Sequence, residues 1–256
     1  MEITVLGAHN IESKTTRTQC LLVDGIFSLD AGCLTSNLTF EEQQHLRAIF
    51  LTHGHYDHAR DVPAIAMNFS LQKKTLDVYA IAPVFETLES HFLNDVVYPA
   101  YFKRPPEAPT LRKHILEPGQ EIAIDGYKLL PVRTTHSQPA AALQLTSPEG
   151  KKVFYSGDAG PGLEDVWAVI DPDLLIIETT ALNSYDEFAK KAGHLTPRLL
   201  GEELKKYREL KGSLPRIITV HTNPFDEEGI RAELGVIASE LGADITTAYE
   251  GMRIKV

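Results

Sequence analysis

The feature that most constrains this chain is the stretch 53–58, which reads His-Gly-His-Tyr-Asp-His and follows a run of branched apolar residues. In an extended chain, residues i and i+2 share a face, so the side chains of His53 and His55 can point to one place. If the chain then turns into a helix, Asp57 and His58 project from its first turn toward an adjacent place. The spacing therefore predicts two neighbouring cation sites at the end of a strand.

The ligand types restrict the metal only in part. Imidazole and carboxylate groups suit Zn²⁺, Fe or Mn, and the cluster contains no cysteine that would narrow the choice. A solvated, histidine-rich loop is the alternative, but three imidazoles and a carboxylate within six residues favour metal binding. Three later predicted strands end in His136, Asp158 and His221. A single histidine at a strand end is usually structural, whereas these three ends together supply what a two-metal site still lacks.

Apolar patterning alternates predicted strands and helices along the chain. Strands are predicted at residues 3–6, 20–23, 26–29, 46–52, 78–81, 127–132, 141–145, 153–155, 174–177 and 217–220. Thr196-Pro197 supplies an N-cap hydroxyl and a proline at the first helical position, which predicts a helix start. No repeat, low-complexity tract or charged linker divides the sequence. We therefore expect one α/β domain over residues 1–256, with sheets inside and helices outside.

Charge and composition exclude several classes of protein. The chain has 25 Lys and Arg against 35 Asp and Glu, a net charge of −10. This excess of acid repels a polyanion at long range, so long nucleic acid is a less favoured partner than a small substrate. No apolar run reaches the roughly 18 residues of a membrane span, and Glu2 stands where a signal peptide carries basic residues. We expect a cytoplasmic protein in which Cys20 and Cys33 are buried, reduced thiols.

The His-x-His-x-Asp-His signature and the strand-end residues resemble the metallo-β-lactamase fold superfamily over essentially the whole chain. This resemblance implies a four-layer αβ/βα sandwich with mixed sheets inside, helices outside and the site on one edge. It also implies two divalent ions, Zn or alternatively Mn or Fe. By resemblance the first ion takes His53, His55 and His136, the second takes Asp57, His58 and His221, and Asp158 bridges the two. Asp30 resembles the family acid that orients a ligand histidine.

Two groups of this superfamily are similar to the chain in further motifs. The segment Glu178-Thr179-Thr180 with residues 193–197 is similar to paired segments of the ribonuclease Z group of tRNA 3′-processing endonucleases. However, the reading Gly-His-Leu-Thr-Pro at 193–197, and segments 38–43 and 91–99, are more similar to class II cyclic-nucleotide phosphodiesterases. The resemblance predicts hydrolysis of a small, cyclic-nucleotide-like phosphodiester. A ribonuclease Z-like endonuclease and a thioester or lactone hydrolase are the alternatives, and Tyr56, where leucine is common, leaves the exact substrate open.

Three side chains are candidate catalytic groups. Two neighbouring cations would lower the pKa of a shared water, and Asp57 is a candidate to take its proton. His194 is the candidate to bind a phosphate oxygen or to protonate the leaving alkoxide, and Glu178 is the candidate to orient it. Packing at a helix entry and helix capping are their structural alternatives. The aromatic and basic segment 98–106 is either a lid that stacks a base or an ordered connection, and resemblance alone allows a homodimer.

Overall fold

The computed structural model describes all 256 residues and contains two seven-stranded sheets. The strands are β1 (Glu2–Gly7), β2 (Cys20–Val23), β3 (Phe27–Leu29), β4 (Ala48–Phe50), β5 (Leu76–Ala80), β6 (Leu111–Ile115), β7 (Ile122–Ile124), β8 (Tyr127–Thr134), β9 (Ala140–Thr146), β10 (Lys152–Tyr155), β11 (Leu174–Glu178), β12 (Arg216–Val220), β13 (Ile245–Thr247) and β14 (Arg253–Lys255). The first sheet has the order β14-β1-β2-β3-β4-β5-β6, and the second has the order β13-β12-β11-β10-β9-β8-β7. Both sheets are mixed, because each has an antiparallel half and a parallel half.

Helices flank the two sheets. They are α1 (Leu34–Asn37), α2 (Phe40–Gln43), α3 (Tyr56–Ala59), α4 (Val62–Leu71), α5 (Ala82–Thr87), α6 (Glu164–Val169), α7 (Asp186–Ala192), α8 (Pro197–Lys211) and α9 (Glu227–Leu241). A π-helical turn (Leu88–Phe92) continues α5, and a 3₁₀ turn (Asn183–Tyr185) precedes α7. No helix combines the length and apolar character needed to cross a bilayer.

Two apolar cores define the layers. The larger core joins the sheets, and within it the ring of Phe27 on β3 meets that of Tyr127 on β8 edge-on, at 5.1 Å between centroids. The second core lies between the second sheet and helices α6, α8 and α9, around the fully buried Trp167. This arrangement, two mixed sheets between helices, confirms the predicted four-layer αβ/βα fold.

Local sequence determines where helix α8, which follows the His194 segment, begins and ends. The Thr196 hydroxyl accepts a hydrogen bond from the backbone N–H of Leu199, and Pro197 occupies the first turn, as predicted. The apolar face of α8 is buried in the second core. Gly212, with φ of +85°, ends the helix in the left-handed conformation that glycine adopts without strain. The chain just before α8 therefore has a fixed position and carries His194 with it.

Several sequence predictions differ from the structure in extent. The predicted strand 46–52 pairs only over Ala48–Phe50, because the following residues leave the ladder. Residues 98–106 are packed on the body at their centre: Tyr101 is 5% exposed, and the ring of Phe102 lies edge-on to that of Phe85 at 5.5 Å. These two buried rings favour the ordered connection over a base-stacking lid. Cys20 and Cys33 are both buried, as predicted, and no disulfide joins them.

Candidate metal centre

The loop after β4 is held in place by contacts with Asp30 and with the end of α5. Thr52 leaves the sheet and donates its backbone N–H to Asp30 at 2.8 Å. A Cβ at Gly54 would lie 3.0 Å from the side chain of Thr87, so a larger residue here would crowd the end of α5. His55 has extended backbone angles and immediately precedes α3. The predicted change from extended chain to helix thus occurs between His55 and Tyr56.

Three histidines and one carboxylate form the first cluster of this centre. The Nδ1 atom of His55 lies 3.0 Å from Nε2 of His53 and 3.1 Å from Nε2 of His136. Atom Oδ2 of Asp158 is 3.5 Å from the His53 nitrogen and 3.7 Å from the His136 nitrogen. The four ligand-type atoms therefore converge on one point.

A second cluster adjoins the first on the other side of Asp158. Atom Oδ1 of Asp158 is 3.1 Å from Nε2 of His58 and 3.4 Å from Nε2 of His221. The His221 nitrogen is also 3.1 Å from Oδ2 of Asp57. All seven residues proposed as metal ligands from the sequence thus lie together, and the two oxygens of Asp158 face different clusters.

The donor set fits divalent cations. Nε2 of His58 and Oδ1 of Asp158 are buried and have no hydrogen-bond partner, although they are only 3.1 Å apart. Their geometry is wrong for a bond to each other, as expected if both point to a third atom. In the first cluster, three ring nitrogens meet in a buried space where protons cannot satisfy all of them. A cation would remove both problems, and imidazole with carboxylate is a common ligand set for such ions.

Charges inside the centre shift the pKa values of its groups in opposite directions. Burial and the neighbouring imidazoles lower the pKa of His53 well below its ordinary value. Burial also disfavours charge on His58, but the carboxylates of Asp158 and Asp30 outweigh it and raise the pKa of His58. For Asp158, burial disfavours the charged form, but charge interactions with the adjacent His221 and His58 outweigh it and lower the pKa well below its usual range. Asp158 is therefore a carboxylate, the form that binds metal.

Hydrogen bonds fix which nitrogen each histidine presents. The Nδ1 of His58 donates to Oδ2 of Asp30 at 2.7 Å, which places Asp30 where the resemblance puts the orienting acid. The Nδ1 of His136 donates to the carbonyl of Gly193 at 2.9 Å. For His53 the acceptor is the hydroxyl of Thr52, at 3.1 Å. Each bond occupies Nδ1 and turns Nε2 toward the centre, which is how neighbouring groups commonly orient metal ligands.

Glu178, at the end of β11, organises the side of the centre near His221. Its Oε1 accepts a hydrogen bond from Nδ1 of His194 at 2.7 Å. Its Oε2 accepts one from the hydroxyl of Thr180 at 2.7 Å, and that hydroxyl lies 2.8 Å from Nδ1 of His221. Burial opposes charge on His194, but the Glu178 carboxylate outweighs it and raises the pKa of His194 to about 9. The buried carboxylate of Glu178 therefore contacts His194 directly and His221 through the hydroxyl of Thr180.

Sequence reasoning missed three hydroxyl groups of this outer shell. Thr52 and Thr180 hold His53 and His221, and the Tyr155 hydroxyl donates to Asp30 at 2.7 Å. Thr52 precedes His53, and Thr180 follows Glu178 by two residues. Their positions beside the motifs are the sequence feature that points to them. Tyr155 gave no signal, because its contact with Asp30 joins residues 125 positions apart.

His9, outside the metal centre, is a buried histidine close to two carboxylates. It is buried, its Nδ1 lies 2.6 Å from Glu250, and its Nε2 lies 3.5 Å from Glu227. Its backbone pairs with that of Thr222, next to His221. His9 therefore lies at the seam where the ends of the two sheets meet.

Comparison with known proteins gives the family. A family described as "Beta-lactamase superfamily domain" matches residues 20–221. A "Probable 3',5'-cyclic-nucleotide phosphodiesterase" of Yersinia pestis is 26% identical over 211 residues, or 73% of this chain and 60% of that protein. The chain thus spans less than two thirds of this relative. A "Ribonuclease Z" of Halobacterium salinarum is 25% identical over 246 residues, covering 77% of this chain and 80% of the relative.

Solved structures agree on the fold. Unliganded yeast PDE1 superposes with a TM-score of 0.84 at 18% identity, covering 100% of this chain and 99% of that one. At this identity the likeness concerns architecture alone. Since the family match covers most of the sequence and the site carries the expected signature, the protein belongs to the beta-lactamase superfamily and has the metallo-β-lactamase fold.

Proposed function

We propose that this protein is a dinuclear, metal-dependent phosphodiesterase that hydrolyses a small, cyclic-nucleotide-like phosphodiester. The observation that carries the proposal is the division of Asp158, whose Oδ1 and Oδ2 face separate histidine clusters. A carboxylate between two ligand sets is suited to hold two cations side by side. The named phosphodiesterase relative and the fold shared with yeast PDE1 support the reaction class.

The ligands divide into two sets in this proposal. The first ion would be held by His53, His55 and His136, the second by Asp57, His58 and His221, with Asp158 shared. When bound, two ions of Zn, or alternatively Mn or Fe, would acidify a water and offset negative charge on the phosphate. The remaining chemistry falls to protein side chains around them.

Asp57 is the candidate proton acceptor. It is 25% exposed, whereas Asp158 is 2% exposed, so Asp57 is the carboxylate of the centre that solvent can reach. Burial would raise its pKa, but the hydrogen bond from His221 and nearby positive charge hold the pKa of Asp57 below its usual range. It is therefore ionised, and it is the carboxylate of the centre placed to accept a hydrogen bond from a water beside it.

His194 is the candidate proton donor and phosphate contact. Glu178 occupies Nδ1 of this ring, which leaves Nε2 free to donate. A ring nitrogen of His194 lies within 4.8 Å of ligand atoms of Asp158 and His221. With a pKa of about 9, the ring is a cation at neutral pH and can donate to a phosphate oxygen or to the leaving alkoxide.

A ribonuclease Z-like activity is the second candidate. The relative named ribonuclease Z is matched over 80% of its length, more than the phosphodiesterase relative. Against it, the net charge of −10 opposes binding of a long polyanion. A thioester or lactone hydrolase is less favoured, because a neutral substrate would not need the cationic His194.

A substrate panel tests the proposal. Protein loaded with Zn²⁺ or Mn²⁺ is assayed on 3′,5′-cyclic nucleotides, bis-p-nitrophenyl phosphate, precursor tRNA, and representative thioesters and lactones. We expect turnover of the cyclic nucleotides and the diester, and no tRNA cleavage. Cleavage of precursor tRNA without turnover of cyclic nucleotides would favour the endonuclease, and turnover of esters alone would contradict both phosphodiesterase candidates.

A further inference from the structure

Tyr56 is an exposed aromatic residue within the metal-binding loop. It is the first residue of α3 and stands between His55 and Asp57, yet it is 65% exposed. The loop places its other side chains at the polar centre, whereas the Tyr56 ring lies outside it. An exposed aromatic ring in this position, one residue from two candidate ligands, is available to contact a molecule bound at the centre.

Phe92 supports this ring from behind. The two rings are nearly parallel, with an interplanar angle of 18° and centroids 6.2 Å apart. Phe92 ends the π-helical turn, a rare element that often occurs at functional sites. Because Gly54 packs against Thr87 at the end of α5, the loop and this helical segment hold each other in place. The Tyr56 ring therefore stacks on Phe92, on a loop that packs against the end of α5.

Two exposed apolar side chains follow Phe92 in the chain. Val96 and Val97 are 87% and 61% exposed on the turn that follows Phe92. Their backbone N–H groups donate to Oδ1 of Asn94 at 3.0 and 2.9 Å, and the N–H of Tyr98 returns to the carbonyl of Phe92. The ordered turn thus holds two exposed apolar side chains on the segment that directly follows Phe92.

We propose that the Tyr56 ring, backed by Phe92, is the stacking platform for the nucleobase of the substrate. This inference rests on the proposed function, because it requires the phosphodiester of a nucleotide to lie at the metal centre. A base attached to that phosphate would then reach the wall of the loop one residue away from the ligands. The platform would favour nucleotides over plain phosphate esters without selecting one base, since every base has a face that stacks. It also takes the role that the buried rings of residues 98–106 cannot fill.

Binding measurements test the platform separately from catalysis. The dissociation constants of adenosine 5′-monophosphate and ribose 5-phosphate are measured by calorimetry on the zinc-loaded protein. We expect the wild-type protein to bind the nucleotide about tenfold more tightly than the sugar phosphate, which lies within the range of one base stacked on an aromatic ring. Tyr56→Leu should bring the two affinities together, and Tyr56→Phe should keep the difference. Phe40→Leu, which replaces another exposed ring on α2, should leave both values unchanged.

The outcomes separate the two proposals. Equal affinities in the wild-type protein, no measurable binding of the nucleotide, or an unchanged ratio in Tyr56→Leu would overturn the platform. Failure of the wild-type protein to hydrolyse any phosphodiester would instead overturn the proposed function, whatever the binding ratio. Zinc content measured in each variant shows that the metal ligands on either side of residue 56 are intact.

Discussion

The two sheets contribute to the metal centre in different ways. The first sheet supplies four of the seven candidate ligands from one loop after β4, at residues 53–58. The second sheet supplies three from separate strand ends, after β8, β10 and β12. Local spacing holds the first set together, whereas the second set depends on the strand order of a whole sheet. The centre thus combines a compact loop with a scaffold that is assembled only on folding.

Substitution of Asp158 should have the largest effect, because this second-sheet residue contributes to both clusters. It is the one residue of the second sheet that faces both clusters, so Asp158→Ala should remove a ligand from each. We expect the metal content, measured by elemental analysis, to fall from two ions per chain to below about one. Far-ultraviolet circular dichroism should show the fold retained. A variant that keeps both ions would show that Asp158 does not bridge them.

His194 tests whether the second sheet contributes chemistry as well as ligands. Removing the cationic ring in His194→Ala should lower kcat for a phosphodiester by about 10²- to 10⁴-fold, the usual contribution of a general acid. The metal content should not change, because His194 lies outside both ligand sets. An unchanged kcat would remove His194 from the mechanism.

A Thr180 variant tests how strongly a hydrogen bond behind His221 supports metal binding by the strand-end ligands of the second sheet. Its hydroxyl accepts from His221 and donates to Glu178, which directs Nε2 of His221 at the centre. Thr180→Val keeps the shape and loses both bonds, so it should weaken binding of the second ion by about 10- to 100-fold. Thr180→Ser should restore it. Chelator competition measures the affinity, and equal weakening in both variants would indicate a packing role instead.

Replacing His9, at the seam between the sheets, should have the smallest effect. We expect a loss of unfolding free energy that depends on pH. Burial alone would lower the pKa of His9, but the hydrogen bond and charge of Glu250 and Glu227 outweigh it and raise the pKa above 6.5. Such a group stabilises the fold fully below its unfolded-state pKa, and this contribution is lost as pH rises through the folded-state pKa.

His9→Gln should therefore cost about 1–2 kcal/mol of unfolding free energy at pH 6, the scale of a hydrogen bond to a charged group. The cost should be smaller at pH 9. Urea unfolding of metal-free protein at the two pH values measures it, with the exposed His45→Gln as the matched control. A cost that does not change with pH would show that His9 contributes packing and not charge.

The same contrast explains what could be predicted from sequence. The ligands of the first sheet follow from the period-two spacing of His53 and His55 and the helix start after them. Those of the second sheet were identified as His and Asp residues that follow predicted strands, and their division between two ions came from resemblance. The family and the four-layer fold were predicted correctly in this way. The extent of β4 was not, because the chain leaves its ladder to satisfy Asp30, a contact between distant residues.

Tyr155 and residues 98–106 show where local sequence reasoning ends. The bond from Tyr155 to Asp30 depends on two sheets facing each other, and no local pattern encodes that. The aromatic residues of segment 98–106 suited either a lid or a packed connection by composition. Tertiary contacts decide between these, since Tyr101 and Phe102 contribute to the larger core while Tyr56 remains exposed.

We expect Asp158 to separate two metal sites, each with two ligands from residues 53–58 and one histidine from a strand end of the second sheet. Anomalous diffraction at the zinc edge from crystals of zinc-loaded protein tests it most directly. The account predicts two peaks, one beside Oδ2 of Asp158 among His53, His55 and His136, and one beside Oδ1 among Asp57, His58 and His221. A single peak, or peaks away from Asp158, would contradict it.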